Sequence, residues 1–262
     1  MTPIKYCYDL LVASRDPLYF CVKKAPKEAR DSIIGVRAFY LTLEKLILAS
    51  SDPIIVQQQL FWWREEISKT QPQHPIAILL NAQNIPKEKL IAIIESFIGL
   101  IANSHFETFE EVVIFTMQTA GAREKMIVDI VTPGNNISVE IIYELTLALE
   151  LTHYIQHLRP YIRRGLLLFS EEELKKFHLT YDDFNACKTT PNIQHLLAFQ
   201  AQKVERIYEK THALKSISGL NILLTQINIA HRLLKVIKGQ QFELLENYIQ
   251  LTPLKMWWVA YR

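Results

Sequence analysis

The stretch of sequence that decides the fold is Glu150-Leu151-Thr152-His153-Tyr154-Ile155-Gln156-His157-Leu158-Arg159-Pro160. It reads as an apolar helix, but an acid and two histidines stand where a plain core helix would be apolar. Glu150, His153 and His157 are offset by three and then four residues, so a helix places their side chains on one face. We therefore predict one helix whose polar row lines a cavity.

Helical signals continue on both sides of this stretch. Apolar helices are predicted near 27–50, 106–131 and 219–238, and Ser170 with Glu173 forms a capping box before a short helix. No segment alternates in the way of a strand, and no repeat of fixed period occurs. The 262 residues, 49% of them hydrophobic and 21% charged, have globular composition. We predict a single all-α domain over residues 1–262 with a buried middle.

Charge and cysteine usage exclude several classes of function. The chain has 29 basic and 27 acidic residues, a formal net charge of +2, so no overall field would attract nucleic acid. Cys7, Cys21 and Cys187 lack metal-ligand or paired spacing, which favours a reducing compartment. Residues 1–14 lack the layout of a signal peptide, and the apolar runs are too short or too polar for a bilayer span. We expect a cytoplasmic protein with at most peripheral membrane contact.

Several short motifs are weak singly and specific in combination. In chain order they are Arg15-Asp16-Pro17-Leu18-Tyr19, Arg37-Ala38-Phe39-Tyr40, Trp62-Trp63-Arg64-Glu65-Glu66, His74-Pro75-Ile76, Thr119-Ala120-Gly121, the segment 151–165, and Phe169-Ser170-Glu171-Glu172-Glu173-Leu174. Together they resemble the squalene and phytoene synthase family, the head-to-head trans-isoprenyl diphosphate synthases, over most of the chain. The resemblance implies an isoprenoid-synthase-like helical bundle with a central cavity.

The chain departs from this family at its two aspartate motifs, which hold Mg²⁺ against the isoprenoid diphosphate. Laid without gaps, the motifs fall on Glu44-Lys45-Leu46-Ile47-Leu48 and on 157–161. Glu44 keeps a carboxylate, whereas Leu48, His157 and Tyr161 replace the other acids. Because Mg²⁺ requires hard oxygen ligands, this loss argues against ordinary condensation. A similar loss marks the branch of the family represented by a mitochondrial respiratory complex I assembly factor.

The polar row itself has two interpretations. Imidazole suits Zn²⁺ or iron, so Glu150, His153 and His157 could be metal ligands on one helix face. A helical di-metal site would normally use a second Glu-x-x-His motif, and none is present. The alternative, which we favour, is a hydrogen-bonded polar lining without a metal.

The candidates for binding a ligand in the cavity come from the motif positions and the helices around them. Gly121 is included because glycine inside a helix costs about 1 kcal/mol relative to alanine, which indicates close approach by a neighbour or a ligand. We name no catalytic residue and no cofactor. The candidates are Tyr40, Glu44, Gly121, Glu150, His153, His157, Tyr161 and Arg164.

Two further clusters have alternative explanations. Arg159, Arg163 and Arg164, with Lys175 and Lys176, could hold a phosphate or an acidic lipid head group, or they could be a solvated helix end whose cations offset the macrodipole. The pair Trp257-Trp258 could touch a membrane interface or pack the last helix.

These patterns support two hypotheses for function. The first, which we favour, is a non-catalytic protein that keeps an isoprenoid-synthase cavity for an isoprenoid or other apolar ligand, or that serves a protein partner as an assembly or interaction factor. The second is an active prenyltransferase that condenses isoprenoid diphosphates with atypical metal ligands, Glu44 and Glu150 with the histidines. Mg²⁺ would be its cofactor.

Overall fold

The computed structural model of the chain describes residues 1–50, 52–134, 137–214, 217 and 219–261. Over these residues the chain forms α-helices joined by 3₁₀ and irregular turns and has no β-strand, which confirms the predicted all-α class. The helices are α1 (Pro3–Ala13), α2 (Pro17–Cys21), α3 (Arg30–Ala49), α4 (Pro53–Ser68), α5 (Pro75–Ala82), α6 (Lys87–Ala102), α7 (Phe109–Thr116), α8 (Ala122–Val131), α9 (Val139–Gln156), α10 (Leu158–Ile162), α11 (Glu171–Lys176), α12 (Pro191–Lys210), α13 (Asn221–Gly239) and α14 (Pro253–Tyr261).

Several helices begin where a side-chain cap meets a proline. Asp52 accepts a hydrogen bond from the backbone N of Ile54 at 2.9 Å, and Pro53 is the first residue of α4. His74 caps α5 in the same way, one residue before Pro75. Proline presets φ for a first helical turn and has no N–H to leave unpaired, so the sequence fixes these starts locally.

The predicted helix over 106–131 is interrupted. The chain forms α7, then a π-helical turn over Met117–Gly121, and then α8. A Cβ added to Gly121 would lie 3.2 Å from Cε1 of Tyr143 on α9. The missing side chain therefore lets Tyr143 approach the wide turn closely, and the neighbour at this glycine is a residue of the chain itself.

The stretch 150–160 is also not one helix, contrary to the prediction. Helix α9 ends at Gln156, His157 takes φ −98° and ψ 19°, and α10 follows. Pro160 cannot donate a backbone hydrogen bond to Gln156, so the α-helical ladder is broken there. The backbone N of Tyr161 still donates to the carbonyl of His157 at 3.2 Å, which keeps the two helices connected through one turn.

Helices α3 and α9 form the middle of the bundle. Helix α9 packs against α8, α12 and α13, and α3 packs against α1, α4, α5 and α8. One continuous cluster of buried apolar side chains joins these helices. No helix in the described ranges combines the length and the apolar character needed to cross a membrane.

Candidate functional site

A cavity of about 300 Å³ lies between α3, α9 and α13 and is bordered by residues 14–17 and 248–251. Four of the predicted site residues line it, namely Glu44, Glu150, His153 and His157. The volume is at the small end of the range for ligand sites, roughly 300–1,000 Å³. Eight apolar side chains line the cavity beside them: Leu41, Leu48, Leu149, Ile229, Ala230, Leu233, Leu251 and Met256.

Arg123 on α8 holds the inner end of the polar row, although the sequence did not single it out. Its Nη2 lies 2.8 Å from Oε1 of Glu150 and 2.9 Å from Oε1 of Glu124, and its guanidinium lies 4.2 Å from the ring centroid of Tyr40. The arginine is 0% exposed. Gln226 on α13 donates to Oε2 of Glu124 at 3.2 Å. One buried cation thus connects α3, α8, α9 and α13.

Glu44, where the resemblance places an acid of the first aspartate motif, is paired with His153. Nε2 of His153 lies 2.5 Å from Oε1 of Glu44, and the hydroxyl of Tyr161 donates to the same oxygen at 3.1 Å. Burial by itself would raise the pKa of Glu44, but the charge and hydrogen bond of His153, together with the charge of Arg37, outweigh burial and lower the pKa. Burial likewise opposes a charged His153, but the carboxylate of Glu44 raises its pKa overall. The two groups therefore form a charged pair.

His157 differs from His153 in its charge state. The two ring centroids are 4.1 Å apart, and Nδ1 of His157 lies 3.1 Å from the carbonyl oxygen of His153. Burial and then the positive charge of His153 lower the pKa of His157 to about 3. His157 is therefore neutral near pH 7, and it supplies a polar but uncharged part of the wall.

The third carboxylate of the cavity wall, Asp16, also has a cation as its partner. Nε and Nη2 of Arg37 on α3 both lie 2.8 Å from Oδ2 of Asp16. Asp16 in addition caps α2 through a 2.9 Å hydrogen bond from the backbone N of Leu18. Asp16, Glu44 and Glu150 thus each contact a positively charged side chain of this chain.

The other predicted site residues lie outside the cavity wall. Tyr40 and Tyr161 are buried behind it, where they contact Arg123 and Glu44 respectively. Gly121 and Arg164 lie farther from it. Tyr143 covers Gly121, and Arg164 donates from Nε to the carbonyl of Leu48 at 2.7 Å and lines a separate depression.

The arrangement does not suit a metal ion. Arg123 occupies the carboxylate of Glu150, and no group of three His, Cys, Asp or Glu side chains in the described part of the chain is placed to hold a metal. The Mg²⁺ that the resemblance implies requires several free oxygen ligands in octahedral geometry. The carboxylates that face this cavity have salt-bridge partners instead, so the residues present do not fit Mg²⁺.

A helical bundle that encloses such a cavity defines a protein with the isoprenoid synthase fold. A dehydrosqualene synthase in complex with ligand aligns with a TM-score of 0.78 at 16% identity, over 98% of this chain and 95% of that chain. Squalene synthase HpnC from Alicyclobacillus acidocaldarius gives a TM-score of 0.74 at 16% identity over 92% and 95%. YisP from Bacillus subtilis subsp. subtilis strain 168 gives 0.71 at 13% identity over 99% and 95%.

The sequence comparison identifies the family. The squalene/phytoene synthase family profile matches residues 12–258, nearly the whole chain. The chain belongs to the squalene/phytoene synthase family. No curated protein matches the sequence significantly.

The buried network around Arg123 predicts a large loss of stability in Arg123→Met. Methionine has a similar length but no charge, so the substitution leaves Glu124 and Glu150 buried without a cation. The loss of the cation costs about 3–5 kcal/mol. The free energy of unfolding in urea measures this loss. Arg64→Met is the control, because Arg64 and Glu95 form an exposed pair and their loss should cost at most about 1 kcal/mol. Equal effects of the two substitutions would contradict the role of Arg123.

The charge state of His157 predicts a stability difference that depends on pH. Because its pKa is near 3 in the folded chain and about 6.5 when unfolded, the unfolded state binds more protons between these values. His157 therefore destabilises the fold increasingly as pH falls below about 6.5. The free energy of unfolding of His157→Gln, measured relative to that of wild type, should therefore rise by about 1 kcal/mol or more when the pH is lowered from 7.5 to 5.

Urea unfolding at the two pH values measures this gain. His195→Gln on α12 is the control, since that histidine is exposed. A constant difference between wild type and His157→Gln at both pH values would show that His157 does not have the lowered pKa.

Proposed function

We propose that this protein binds an isoprenoid or other apolar ligand in the cavity and does not carry out Mg²⁺-dependent condensation of isoprenoid diphosphates. The observation that carries the proposal is the pairing of each carboxylate in the cavity wall with a cation of the chain. Asp16 pairs with Arg37, Glu44 with His153, and Glu150 with Arg123.

Recruiting these acids as Mg²⁺ ligands would break the pairs. Arg37 and Arg123 are buried, and Arg123 has no contact with solvent. A buried guanidinium that loses its carboxylate remains charged and unpaired, at a cost of about 3–5 kcal/mol for each broken pair. That penalty opposes the metal binding on which ionisation of a diphosphate depends in this family. The site is arranged to keep its own charges balanced.

An apolar ligand suits the rest of the wall. Leucine, isoleucine and methionine side chains surround the polar row, and burial of apolar surface gives about 25 cal/mol per Å². Similar solved structures are named as synthases of squalene or dehydrosqualene, which supports an isoprenoid as the class of ligand. A role as an assembly or interaction factor remains a prediction from the resemblance to the complex I assembly branch.

The first test of this proposal is direct binding. Organic extraction of the purified protein followed by mass spectrometry should find a co-purified apolar compound, and farnesol should bind in a titration. Ala230→Phe fills the cavity and should weaken farnesol binding by about tenfold or more, because overpacking costs roughly 1–3 kcal/mol. Ala102→Phe, at the exposed end of α6, is the matched control. Farnesol binding that is equal in the two variants would remove the cavity as the site.

The same protein preparation tests the absence of condensation. Incubation with farnesyl diphosphate and Mg²⁺ or Mn²⁺ should release no pyrophosphate above the protein-free background. Release that Glu44→Gln abolishes would overturn the non-catalytic part of the proposal and support the prenyltransferase hypothesis. The substitution keeps the size of the side chain and removes its charge.

A further inference from the structure

Three arginines line a second depression, of about 360 Å³, beside α10. They are Arg159, Arg163 and Arg164. The other lining residues are Leu48, Gln156, Pro160, Leu244, Asn247 and Tyr248, and they include no carboxylate. Three positive charges therefore border one small concavity without an acid in its wall.

These arginines lack salt-bridge partners among the described residues. None of the three forms an ion pair with a carboxylate in the part of the chain that the structure describes. Arg164 is positioned by its 2.7 Å hydrogen bond to the carbonyl of Leu48. Nε of Arg159 is buried and has no hydrogen-bond partner in the described ranges of the chain. The remaining guanidinium nitrogens of Arg159 and those of Arg163 are the donors that a ligand in the depression would meet.

Glu243 and Glu246 are sequence neighbours of the lining residues Leu244 and Asn247, and both accept hydrogen bonds from groups other than the arginines. Glu246 contributes to the electrostatic environment of Arg159, but its two oxygens accept hydrogen bonds of 2.6 Å from the backbone N and the hydroxyl of Thr189. Glu243 accepts a hydrogen bond from Asn247 at 3.4 Å.

The lysines that the sequence grouped with these arginines do not line the depression. Lys175 pairs with Glu171 at 3.1 Å, and Nζ of Lys176 lies 3.9 Å from the ring centroid of Phe199. The cluster therefore consists of the three arginines alone.

The depression and the apolar cavity share a wall. Leu48, Gln156 and Tyr248 line both of them. Tyr248 is 60% exposed, so its ring forms a rim between the two spaces and is not buried in either. A ligand that crosses this rim places its chain among the apolar residues of the cavity and its head group beside the arginines.

We propose that Arg159 and Arg163 bind the phosphate head group of an amphiphilic ligand whose apolar tail occupies the cavity, without a metal ion. This proposal rests on the proposed function, because it assigns the tail to the same cavity. Guanidinium groups form charge-assisted, often bidentate hydrogen bonds with phosphate oxygens, and they supply the positive charge that Mg²⁺ supplies elsewhere. Arg164, held by Leu48, adds charge beside them.

Farnesyl monophosphate and farnesol are the probes, because they share a tail and differ in the head group. In titrations of the full chain with EDTA present, farnesyl monophosphate should bind at least about tenfold more tightly than farnesol, since each lost charge-assisted hydrogen bond weakens binding by about tenfold or more. Arg159→Gln/Arg163→Gln should remove this advantage and leave farnesol binding unchanged. Arg163→Gln alone, at an exposed position, should remove part of it and provides the test if the double variant does not fold.

Arg206→Gln/Arg232→Gln is the matched control, because it removes two exposed positive charges from α12 and α13, away from the depression. It should retain the full advantage of farnesyl monophosphate. An equal loss in this control would overturn the proposal, as would a requirement for Mg²⁺ or equal affinity of wild type for the two probes.

Inorganic phosphate separates the head-group site from the cavity. Weak competition by millimolar phosphate, with much tighter binding of farnesyl monophosphate, supports an amphiphile. If phosphate binds through Arg159 and Arg163 as tightly as farnesyl monophosphate does, the ligand is a free phosphate and the amphiphile is ruled out. Equal farnesol and farnesyl monophosphate binding overturns only the head-group site, whereas arginine-dependent phosphate binding without any farnesol binding overturns the proposed function of the cavity.

Discussion

The contact of Arg123 with Glu124 and Glu150 is the interaction on which the middle of this bundle depends. Placing a guanidinium where no water reaches it is costly, and only close carboxylates and further hydrogen bonds offset that cost. Glu150 belongs to α9, and Tyr40, whose ring faces the guanidinium, belongs to α3. Gln226, which donates a hydrogen bond to Glu124, belongs to α13. The helices that enclose the cavity are thus positioned by one charge, and the shape of the cavity follows from how that charge is satisfied.

The same pairing of charges extends to the positions where the resemblance places the aspartate motifs of the family. Tyr161 stands where the resemblance places an acid of the second motif, and its hydroxyl donates to Glu44, the acid that remains from the first. His153 supplies the positive charge that such an acid would otherwise take from a metal. Tyr161 therefore stabilises the carboxylate of Glu44 as part of the cavity wall. The fold is preserved while the electrostatic requirement of the site is met from within.

Local signals in the sequence predicted the elements of the fold well. Asp52 before Pro53 marked the start of α4, and the capping box of Ser170 with Glu173 is present at α11. These features depend on residues within one turn, so one sequence contains all the information they need. Arg123 could not be found in this way. It lies in Ala122-Arg123-Glu124-Lys125, which reads as a charged helix surface, and its burial depends on Glu150, Tyr40 and Gln226, all distant in sequence.

The spacing of the polar row predicted a shared face but not the contact that each residue would make. Glu150 contacts Arg123, His153 contacts Glu44, and His157 contacts the carbonyl oxygen of His153, so the three residues make three different contacts. Pro160 is the residue that ends this face. Because it has no N–H for the carbonyl of Gln156, α9 ends there, and the short α10 begins the arginine-rich segment on the far side of the wall formed by Leu48, Gln156 and Tyr248. An uninterrupted helix would advance in regular turns past the cavity, so the break at Pro160 is the feature that places a basic depression beside an apolar one.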